Sequence, residues 1–397
     1  MTDLVAAPEI RSIVRDLRNR EFPWTGATTY LNNASIGPIP ERTRLVLDAF
    51  NAKRTAPHLL PDRDLMSGLA DARAAAARLI GASPDEIALA PNTTTGINVA
   101  ARALPLDPGD IVLLSDREFP ANVYPWLRLS DGGVKAELAP VGADGFPDEA
   151  HMLERLTDPR VKVLAVSFVQ FSNGYRADLA RLGAACRANG TWLVVDAIQG
   201  LGNSPLDVRE TPVDVLATGG QKWLLSPWGS GFTYVRRELI PLMEPAAVGW
   251  MAFEGTDDFS NIVRYNPELR RDARRFEVGT IPFQDMVGMS ASLGMLADLT
   301  VDAIAAYTRA LAEPLITWAM DKGVRIVSPV EDAHRSAILC LAPANAAEAH
   351  RRLKAAGVIC AFREGAIRLS PHFYSTMEEM EKVLDVLEDA GHAGLPR

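Results

Sequence analysis

The sequence predicts an α/β fold built on a mostly parallel sheet that helices cover on both faces. Short apolar runs alternate with helical patterns, and this alternation is typical of parallel strands joined by helices. The predicted strands lie at residues 87–90, 111–115, 163–167, 193–196, 215–218 and 232–235, and segment 179–189 predicts one of the helices. Because ligands bind at the carboxyl ends of such strands, we expect the site in the loops that follow them.

The C-terminal part of the chain predicts a second, smaller α/β domain. Residues 284–320 are rich in Ala, Leu and Met and predict a long linking helix. Predicted strands follow at 324–327, 337–341, 358–362 and 366–369, with helices at 346–356 and 377–390. We therefore predict an N-terminal helix and arm at 1–25, a large domain at 26–285, and a small domain with its linking helix at 286–397.

Composition excludes several classes of function. Apolar residues make up 48% and charged residues 23% of the 397 residues, which is ordinary for a soluble globular protein. The net charge of −9 argues against nucleic acid or an anionic membrane as a partner. No stretch approaches the ~20 apolar residues of a membrane span, and residues 1–20 lack the apolar core of a signal peptide. Cys186, Cys340 and Cys360 have no metal-ligand spacing, so we expect no metal site and a cytoplasmic protein.

A lysine and an aspartate follow two of the apolar strands. Asp196 ends the strand at 193–196, and Lys222 comes shortly after the strand at 215–218. Each alone is most simply a surface lysine or a capping aspartate, but together they suit pyridoxal phosphate. A lysine amine forms a Schiff base with the cofactor's aldehyde, and an aspartate keeps the pyridine nitrogen protonated so that the ring accepts electrons.

A possible phosphate site follows the first strand of the sheet. Thr93 and Thr94 lie where a helix is predicted to begin, and free backbone amides at a helix N-terminus attract anions. A plain helix cap would have the same residues, so this signal is weak by itself.

Five further segments complete a pattern that runs from about residue 30 to residue 376. They lie at 30–38, 118–126, 214–225, 275–280 and 368–376. In this order they resemble the class V aminotransferase superfamily of fold-type I pyridoxal phosphate enzymes, which holds cysteine desulfurases, isopenicillin N epimerase-like proteins and kynureninase. The resemblance implies pyridoxal 5′-phosphate as the cofactor, a seven-stranded sheet in the large domain, and a homodimer with shared active sites.

The resemblance also implies roles for residues around the cofactor. Lys222 matches the Schiff-base lysine and Asp196 the partner of the pyridine nitrogen. Gln199 matches the donor to the cofactor's 3-oxygen, Phe119 takes the ring-stacking place, and Gln221 precedes the lysine and can donate a hydrogen bond.

Six residues are implied at the phosphate and the substrate. The threonines at the start of the 93–98 helix match the phosphate loop, and Thr280 resembles a residue that reaches the phosphate of the neighbouring subunit's cofactor. Asn33 and Ala34 belong to the motif that lines the substrate pocket. Arg368 matches the arginine that holds the substrate carboxylate through two parallel hydrogen bonds, although a surface ion pair would also explain it.

The departures from the family pattern bear on the reaction. Desulfurases usually stack a histidine where this chain has Phe119, which cannot move a proton. They also need a cysteine on a mobile loop, whereas Cys186, Cys340 and Cys360 all lie in apolar or helical patterns typical of buried cysteines. The sequence therefore disfavours a cysteine desulfurase and is closest to the isopenicillin N epimerase-like branch.

We predict an enzyme that acts on a small L-amino acid or an amino-acid conjugate. The freed amine of Lys222 would take the Cα proton, and an aminotransferase or a β-lyase of the C–S type is favoured. Epimerisation needs a second proton carrier, for which Tyr124, Tyr30 and His372 are candidates. A kynureninase-like hydrolase and a non-catalytic scaffold that binds pyridoxal phosphate also stay open.

Overall fold

The computed structural model describes residues 8–392 of the chain and confirms the predicted α/β class. Residues 1–7 of the predicted N-terminal arm and residues 393–397 of the predicted small domain lie outside the described residues. The large domain is organised around one seven-stranded sheet, and a smaller sheet organises the C-terminal part.

The large sheet contains the six predicted strands and one that the sequence did not predict. Its strands are β2 (Ile87–Leu89), β3 (Ile111–Ser115), β4 (Lys135–Ala139), β5 (Val161–Ser167), β6 (Trp192–Asp196), β7 (Val215–Gly219) and β8 (Gly231–Val235). They lie in the order β2-β8-β7-β6-β5-β3-β4. Only β8 is antiparallel to its neighbours, so the other six strands end at the same edge of the sheet. The predicted mostly parallel, seven-stranded sheet is confirmed.

Helices cover this sheet on both faces. The helices that begin before the small sheet are α1 (Pro8–Glu21), α2 (Glu41–Arg54), α3 (Asp62–Ile80), α4 (Thr93–Ala103), α5 (Tyr124–Leu127), α6 (Glu149–Arg155), α7 (Leu179–Asn189), α8 (Phe283–Leu299) and α9 (Val301–Asp321). Alternate residues of the central strands enter two different hydrophobic clusters: Val194 packs with α4, whereas Val195 packs with α3 and α8. Strands buried on both faces explain why the sequence shows continuous apolar runs rather than alternation.

The small domain holds a four-stranded antiparallel sheet. Its strands are β9 (Arg325–Ile326), β10 (Leu339–Ala342), β12 (Ala361–Arg363) and β13 (Ala366–Leu369), in the order β12-β13-β10-β9. Helices α10 (Ala346–Ala355) and α11 (Met377–His392) pack with α9 around it. The N-terminal β1 (Thr29–Tyr30) pairs with β11 (Val358–Ile359), and Val14 of α1 joins the same hydrophobic cluster. Residues at the start of the predicted large domain thus contact the small domain.

The predicted long linking helix is two helices. α8 ends at Leu299 and α9 begins at Val301, because Thr300 has a φ of 62° and its side chain accepts a hydrogen bond from the amide of Ala303. α8 packs on α2 and α3 of the large domain, and α9 packs on α11 of the small domain. Among the described residues, no single helix is long and apolar enough to cross a membrane, and only α8 and α9 taken together, bent by 74°, reach that length and composition.

Candidate active site

The predicted site lies where parallel strands end. Asp196 is the last residue of β6, opposite Ser167 of β5 and Ala217 of β7 in the ladder. Lys222 follows three residues after the end of β7. The two residues therefore meet at the carboxyl edge of the sheet, and the charge of each shifts the pKa of the other.

The backbone on either side of Lys222 is held tightly. The carbonyl of Gln221 accepts a hydrogen bond from the amide of Gly37 at 2.8 Å, which ties the N-terminal segment to the lysine loop. A Cβ at Gly37 would lie 1.9 Å from the carbonyl oxygen of Lys222, so only glycine allows this approach. Leu225, fully buried, has a φ of 51°, a strained conformation that its packing imposes.

The amine of Lys222 lies beside an aromatic ring. Its Nζ is 5.8 Å from the centre of the Phe119 ring, and this ring meets Phe171 edge to face at 5.3 Å. Burial lowers the pKa of Lys222 to about 8; the carboxylate of Asp196 opposes that shift, and Arg368 adds to it. A substantial fraction of this amine is therefore neutral near pH 8 and able to act as a nucleophile or a base.

The carboxyl group of Asp196 is buried with few partners. It is 2% exposed, and its Oδ1 accepts one hydrogen bond, from the amide of Ile198 at 3.1 Å. Burial raises the pKa of Asp196 to about 6, against the opposing effects of the Ile198 amide and Lys222. A buried carboxylate that lacks an ion-pair contact fits a ligand that brings its own N–H, as a pyridine ring does when protonated.

The start of α4 offers an unsatisfied hydroxyl. Thr93 is buried, and its Oγ1 has no hydrogen-bond partner among the described residues. The side chain of Asn92 caps the helix by accepting from the amide of Thr95 at 3.0 Å. A free hydroxyl at the first turn of a helix fits a phosphate group, because a phosphate oxygen would accept its hydrogen bond and face the positive end of the helix dipole.

Thr94 and Thr280 lie on the outer side of this helix start. Both are exposed and line one open groove together with Asn98, whose Nδ2 donates to the Thr94 carbonyl at 2.9 Å. Neither Lys222 nor Asp196 lines this groove. Thr280 thus lies near the start of α4 in its own chain, apart from Lys222. Its predicted role at the partner's cofactor stays a prediction.

The two predicted glutamines have different surroundings. Gln199 is buried; its Nε2 donates to the carbonyl of Ala34 at 2.9 Å, and its Oε1 accepts from Nε1 of Trp223 at 2.8 Å. One N–H of Gln199 is left for another acceptor. The side chain of Gln221 folds back over Gly219, where its Oε1 occupies the space that a Cβ would need.

Arg368 reaches the site from the small domain. The side chain extends from β13, with only 2% of the residue exposed, and its two terminal nitrogens donate to the carbonyl of Phe171 and to Oγ of Ser35, each at 2.8 Å. Its Nε is buried and has no hydrogen-bond partner in the part of the chain that the structure describes. Burial lowers the pKa of Arg368 to about 10. Within residues 8–392 no carboxylate forms an ion pair with this guanidinium.

The 30–38 motif, which the resemblance places at the substrate pocket, contacts the small domain. Asn33 is fully buried; its Nδ2 donates to the carbonyl of Ser370 and its Oδ1 accepts from the hydroxyl of Tyr374, both at 2.8 Å. The amide of Ala34 donates to Oγ of Ser370. In this structure Asn33 and Ala34 join the two domains, whereas the side chain of Ser35 is the one that contacts Arg368.

The sequence did not predict the role of Glu118. Its buried carboxyl group accepts hydrogen bonds from the amide of Ser167 at 2.8 Å and from Nε2 of Gln170 at 2.7 Å, and it also contacts the Ser167 hydroxyl. Burial raises its pKa to about 7, and the negative charge of Asp196 contributes to that rise. The signal in the sequence was a glutamate directly before Phe119, which these contacts hold in place.

The three cysteines are buried. The thiol of Cys340 donates to the carbonyl of Ser172 at 3.3 Å, Cys186 lies within α7, and Cys360 lies between β11 and β12. Burial raises the pKa of Cys340 to about 11 and those of Cys186 and Cys360 to about 12. All three thiols are therefore protonated near neutral pH. Within the described residues, no group of His, Cys, Asp and Glu could hold a metal ion.

Comparison with known proteins shows the family of this chain. The family model for class-V aminotransferases matches residues 41–383. The uncharacterized aminotransferase YcbU of Bacillus subtilis is 32% identical over 309 residues, covering 78% of this chain and 80% of that protein. The isopenicillin N epimerase of Streptomyces clavuligerus is 29% identical and covers 90% of this chain and 94% of its own length. The fold is also that of the cysteine desulfurase CsdA of Escherichia coli, with a TM-score of 0.82 at 24% identity over 96% of this chain and 98% of that chain.

Proposed function

The chain belongs to the class-V aminotransferase family, and we propose that it is a pyridoxal-phosphate-dependent enzyme that transforms an L-amino acid, or a conjugate of one, at Cα or Cβ. The observation that carries the proposal is the guanidinium of Arg368, which is buried near the amine of Lys222 and has no carboxylate partner within residues 8–392. A buried cation is stable only when it is paired, so this site is suited to a ligand that brings a carboxylate.

The residues fit the cofactor at three points. Asp196 would face the ring nitrogen, Phe119 would lie against the ring, and Thr93 would bind the phosphate with its free hydroxyl. The free N–H of Gln199 would be available to the 3-oxygen. When bound, pyridoxal phosphate supplies an aldehyde that binds amines and a ring that withdraws electrons from the substrate's Cα.

The chain's own residues then bind the substrate and move a proton. Arg368 holds the α-carboxylate and so fixes which bond at Cα stands perpendicular to the ring. Lys222, whose pKa is about 8, takes the Cα proton and returns it to another atom. If Lys222 returned the proton to a carbon other than Cα, transamination would result, whereas departure of a group from Cβ would give lyase chemistry.

The surroundings of three side chains support these two outcomes over epimerisation. Epimerisation needs a second proton carrier opposite Lys222. His372 is fully buried: its Nδ1 accepts from the amide of Phe373, its Nε2 lies 3.1 Å from the carbonyl of Trp223, and burial lowers its pKa to about 4. The hydroxyl of Tyr30 donates to the carbonyl of Ile36, and burial raises its pKa to about 12; Tyr124 is largely exposed.

We expect the Arg368→Ala variant to lose roughly 2–4 kcal/mol of transition-state stabilisation for an amino-acid substrate, because the charge-assisted pair is truncated. Arg368→Lys should lose about ten-fold or more in kcat/KM, since an ammonium cannot form two parallel hydrogen bonds. Steady-state kinetics with amino acids, and with simple amines that lack the carboxylate, measures both. Unchanged kcat/KM in Arg368→Ala would show that the carboxylate is held elsewhere.

A panel of amino acids distinguishes the reactions. Formation of a keto acid without ammonia would indicate transamination, and formation of pyruvate with ammonia would indicate β-elimination. A D-isomer would indicate epimerisation, and cleavage of kynurenine would indicate a hydrolase. A non-catalytic scaffold would bind the cofactor, but its absorption spectrum would not respond to any amino acid.

We further propose that no cysteine carries a persulfide, which argues against a desulfurase. The variants Cys186→Ala, Cys340→Ala and Cys360→Ala should each keep turnover within a few-fold, because buried, protonated thiols are poor nucleophiles. Assays of sulfide release from cysteine, beside thermal unfolding of each variant, check this. Loss of turnover in a folded Cys360→Ala variant would restore the desulfurase interpretation.

A homodimer with shared active sites is also proposed. If Thr280 serves the partner's cofactor, mixed dimers isolated from inactive Lys222→Ala chains and inactive Thr280→Asp chains should have about half of the wild-type activity, because one of their two sites keeps both residues. If Thr280 serves its own chain, next to Thr94 in the groove they share, isolated mixed dimers should stay inactive.

A further inference from the structure

A second arginine lies on the same face of the small-domain sheet as Arg368. In the β12–β13 hairpin, Ala361 is opposite Arg368 and Arg363 is opposite Ala366. Residues opposite each other in a ladder share a face, and so do residues two apart on one strand. All four side chains therefore lie on one face, and the two alanines leave room there for the two arginines.

The two arginines lie at different depths. Arg368 is buried and held by Phe171 and Ser35, whereas Arg363 is exposed at the end of the hairpin. The turn after it consists of Glu364 and Gly365, with φ values of 47° and 78°. Two positive φ values are typical of the tight two-residue turns that fix strand register, so the backbone position of Arg363 is well defined.

Arg363 forms no ion pair with any carboxylate of the described residues. Its charge acts on the site instead, since it contributes to the lowered pKa of both Lys222 and Arg368. By contrast, Arg351 and Arg352 of the same domain both pair with Glu348. An exposed cation that lowers the pKa of two buried cations on its side of the site is suited to an anion that binds between them.

We propose that Arg363 binds a second acidic group, carried on the side chain of the substrate, while Arg368 binds the α-carboxylate. The proposal rests on the proposed function and narrows it to amino dicarboxylic acids, or conjugates that end in a carboxylate. Diagonal neighbours in a ladder are roughly 7–8 Å apart, and flexible arginine side chains can bring their guanidinium groups to the two ends of a four- or five-carbon diacid.

Binding of two five-carbon acids to the cofactor-loaded protein tests the proposal without a known substrate. Calorimetry should show glutarate binding about ten-fold or more tightly than valerate, which lacks the second carboxylate. In the Arg363→Gln variant, the Kd of glutarate should rise to that of valerate. The Kd of valerate should stay within two-fold of its wild-type value. Arg325→Gln is the matched control, because Arg325 is an exposed arginine on β9, at the opposite edge of the same sheet. It should leave both affinities unchanged.

Two results would overturn the inference. One is a wild-type protein that binds glutarate no better than valerate, and the other is an Arg363→Gln variant that keeps the preference for glutarate. Arg368→Ala separates these results from failure of the proposed function. If it weakens both acids while Arg363→Gln changes neither, only the second acid site is wrong. If it weakens neither, the proposed α-carboxylate site is wrong as well. Thermal unfolding of each variant confirms that it is folded.

Discussion

The Lys222→Ala variant is expected to bind pyridoxal phosphate without a covalent bond and to lose at least about 1,000-fold in kcat. The amine of Lys222 lies beside Phe119 and Asp196, and its lowered pKa of about 8 leaves it partly neutral. Borohydride reduction of the wild-type protein, followed by peptide mapping, should find the reduced cofactor on Lys222. The same treatment of the variant should leave the protein unlabelled.

Lys162→Ala is the matched control. Lys162 lies in β5 of the same sheet but at its other end, far along the strand from Ser167 at the carboxyl edge. This variant should keep both the label and the activity. Recovery of the label on any lysine other than Lys222, or an unlabelled wild-type protein whose activity survives Lys222→Ala, would contradict the assignment.

The positions of the central strands followed from the sequence, because strands buried on both faces are continuous apolar runs. The edge strand β4 did not, because Lys135 and Glu137 give it the charged pattern of a solvated segment. Charges on an edge strand prevent pairing with other chains, and Glu137 also binds Arg155 at 2.6 Å. The break at Thr300 was hidden for another reason. The apolar pattern of residues 284–320 continues across it, whereas its signal is only a threonine followed by Asp302 in the first turn of α9.

The predicted site depended on how far apart its residues are in the chain. Asp196 and Lys222 end adjacent strands of a parallel sheet, so the sequence could place them together. Ser35 and Arg368 are 333 positions apart, and Phe171 and Arg368 are 197 apart. Those contacts arise from how the domains pack, and no local pattern encodes them. Arg368 has no acidic partner within residues 8–392, and this observation best supports a carboxylate ligand. Only the three-dimensional structure shows it.

The Asp196→Asn variant is expected to lose activity and to gain stability in the cofactor-free form. The carboxylate stabilises the positive charge of the ring nitrogen, and an amide cannot. Removal of such a preorganised charge commonly costs about 100- to 1,000-fold in kcat, and we expect a loss in this range. Kinetics at saturating cofactor measures this effect, and titration with pyridoxal phosphate should also show weaker binding.

The gain in stability follows from the pKa of Asp196, which burial raises from 3.8 to about 6 in the folded chain. Between about pH 4 and pH 6 the folded state holds a proton that the unfolded state has lost, so stability falls as the pH rises through this window. Above pH 6 the full penalty, on the order of 3 kcal/mol, acts on the cofactor-free protein. Asparagine carries no charge and keeps an acceptor for the amide of Ile198.

The net gain is smaller than the penalty, because the buried asparagine brings two N–H donors whose desolvation partly offsets it. We expect cofactor-free Asp196→Asn to exceed the wild type by about 1–2 kcal/mol in free energy of unfolding at pH 8, and to equal it below pH 4.

Asp214→Asn is the contrasting control. Asp214 is also buried, but it pairs with Arg236 at 2.8 Å and accepts from the amide of Leu193, so its loss should destabilise the protein at pH 8. Denaturant unfolding of both variants and the wild type, at pH 8 and below pH 4, measures these differences in the free energy of unfolding. If Asp196→Asn were less stable than the wild type at pH 8, the carboxylate would have a stabilising partner within the chain. It would then not be free to pair with the cofactor.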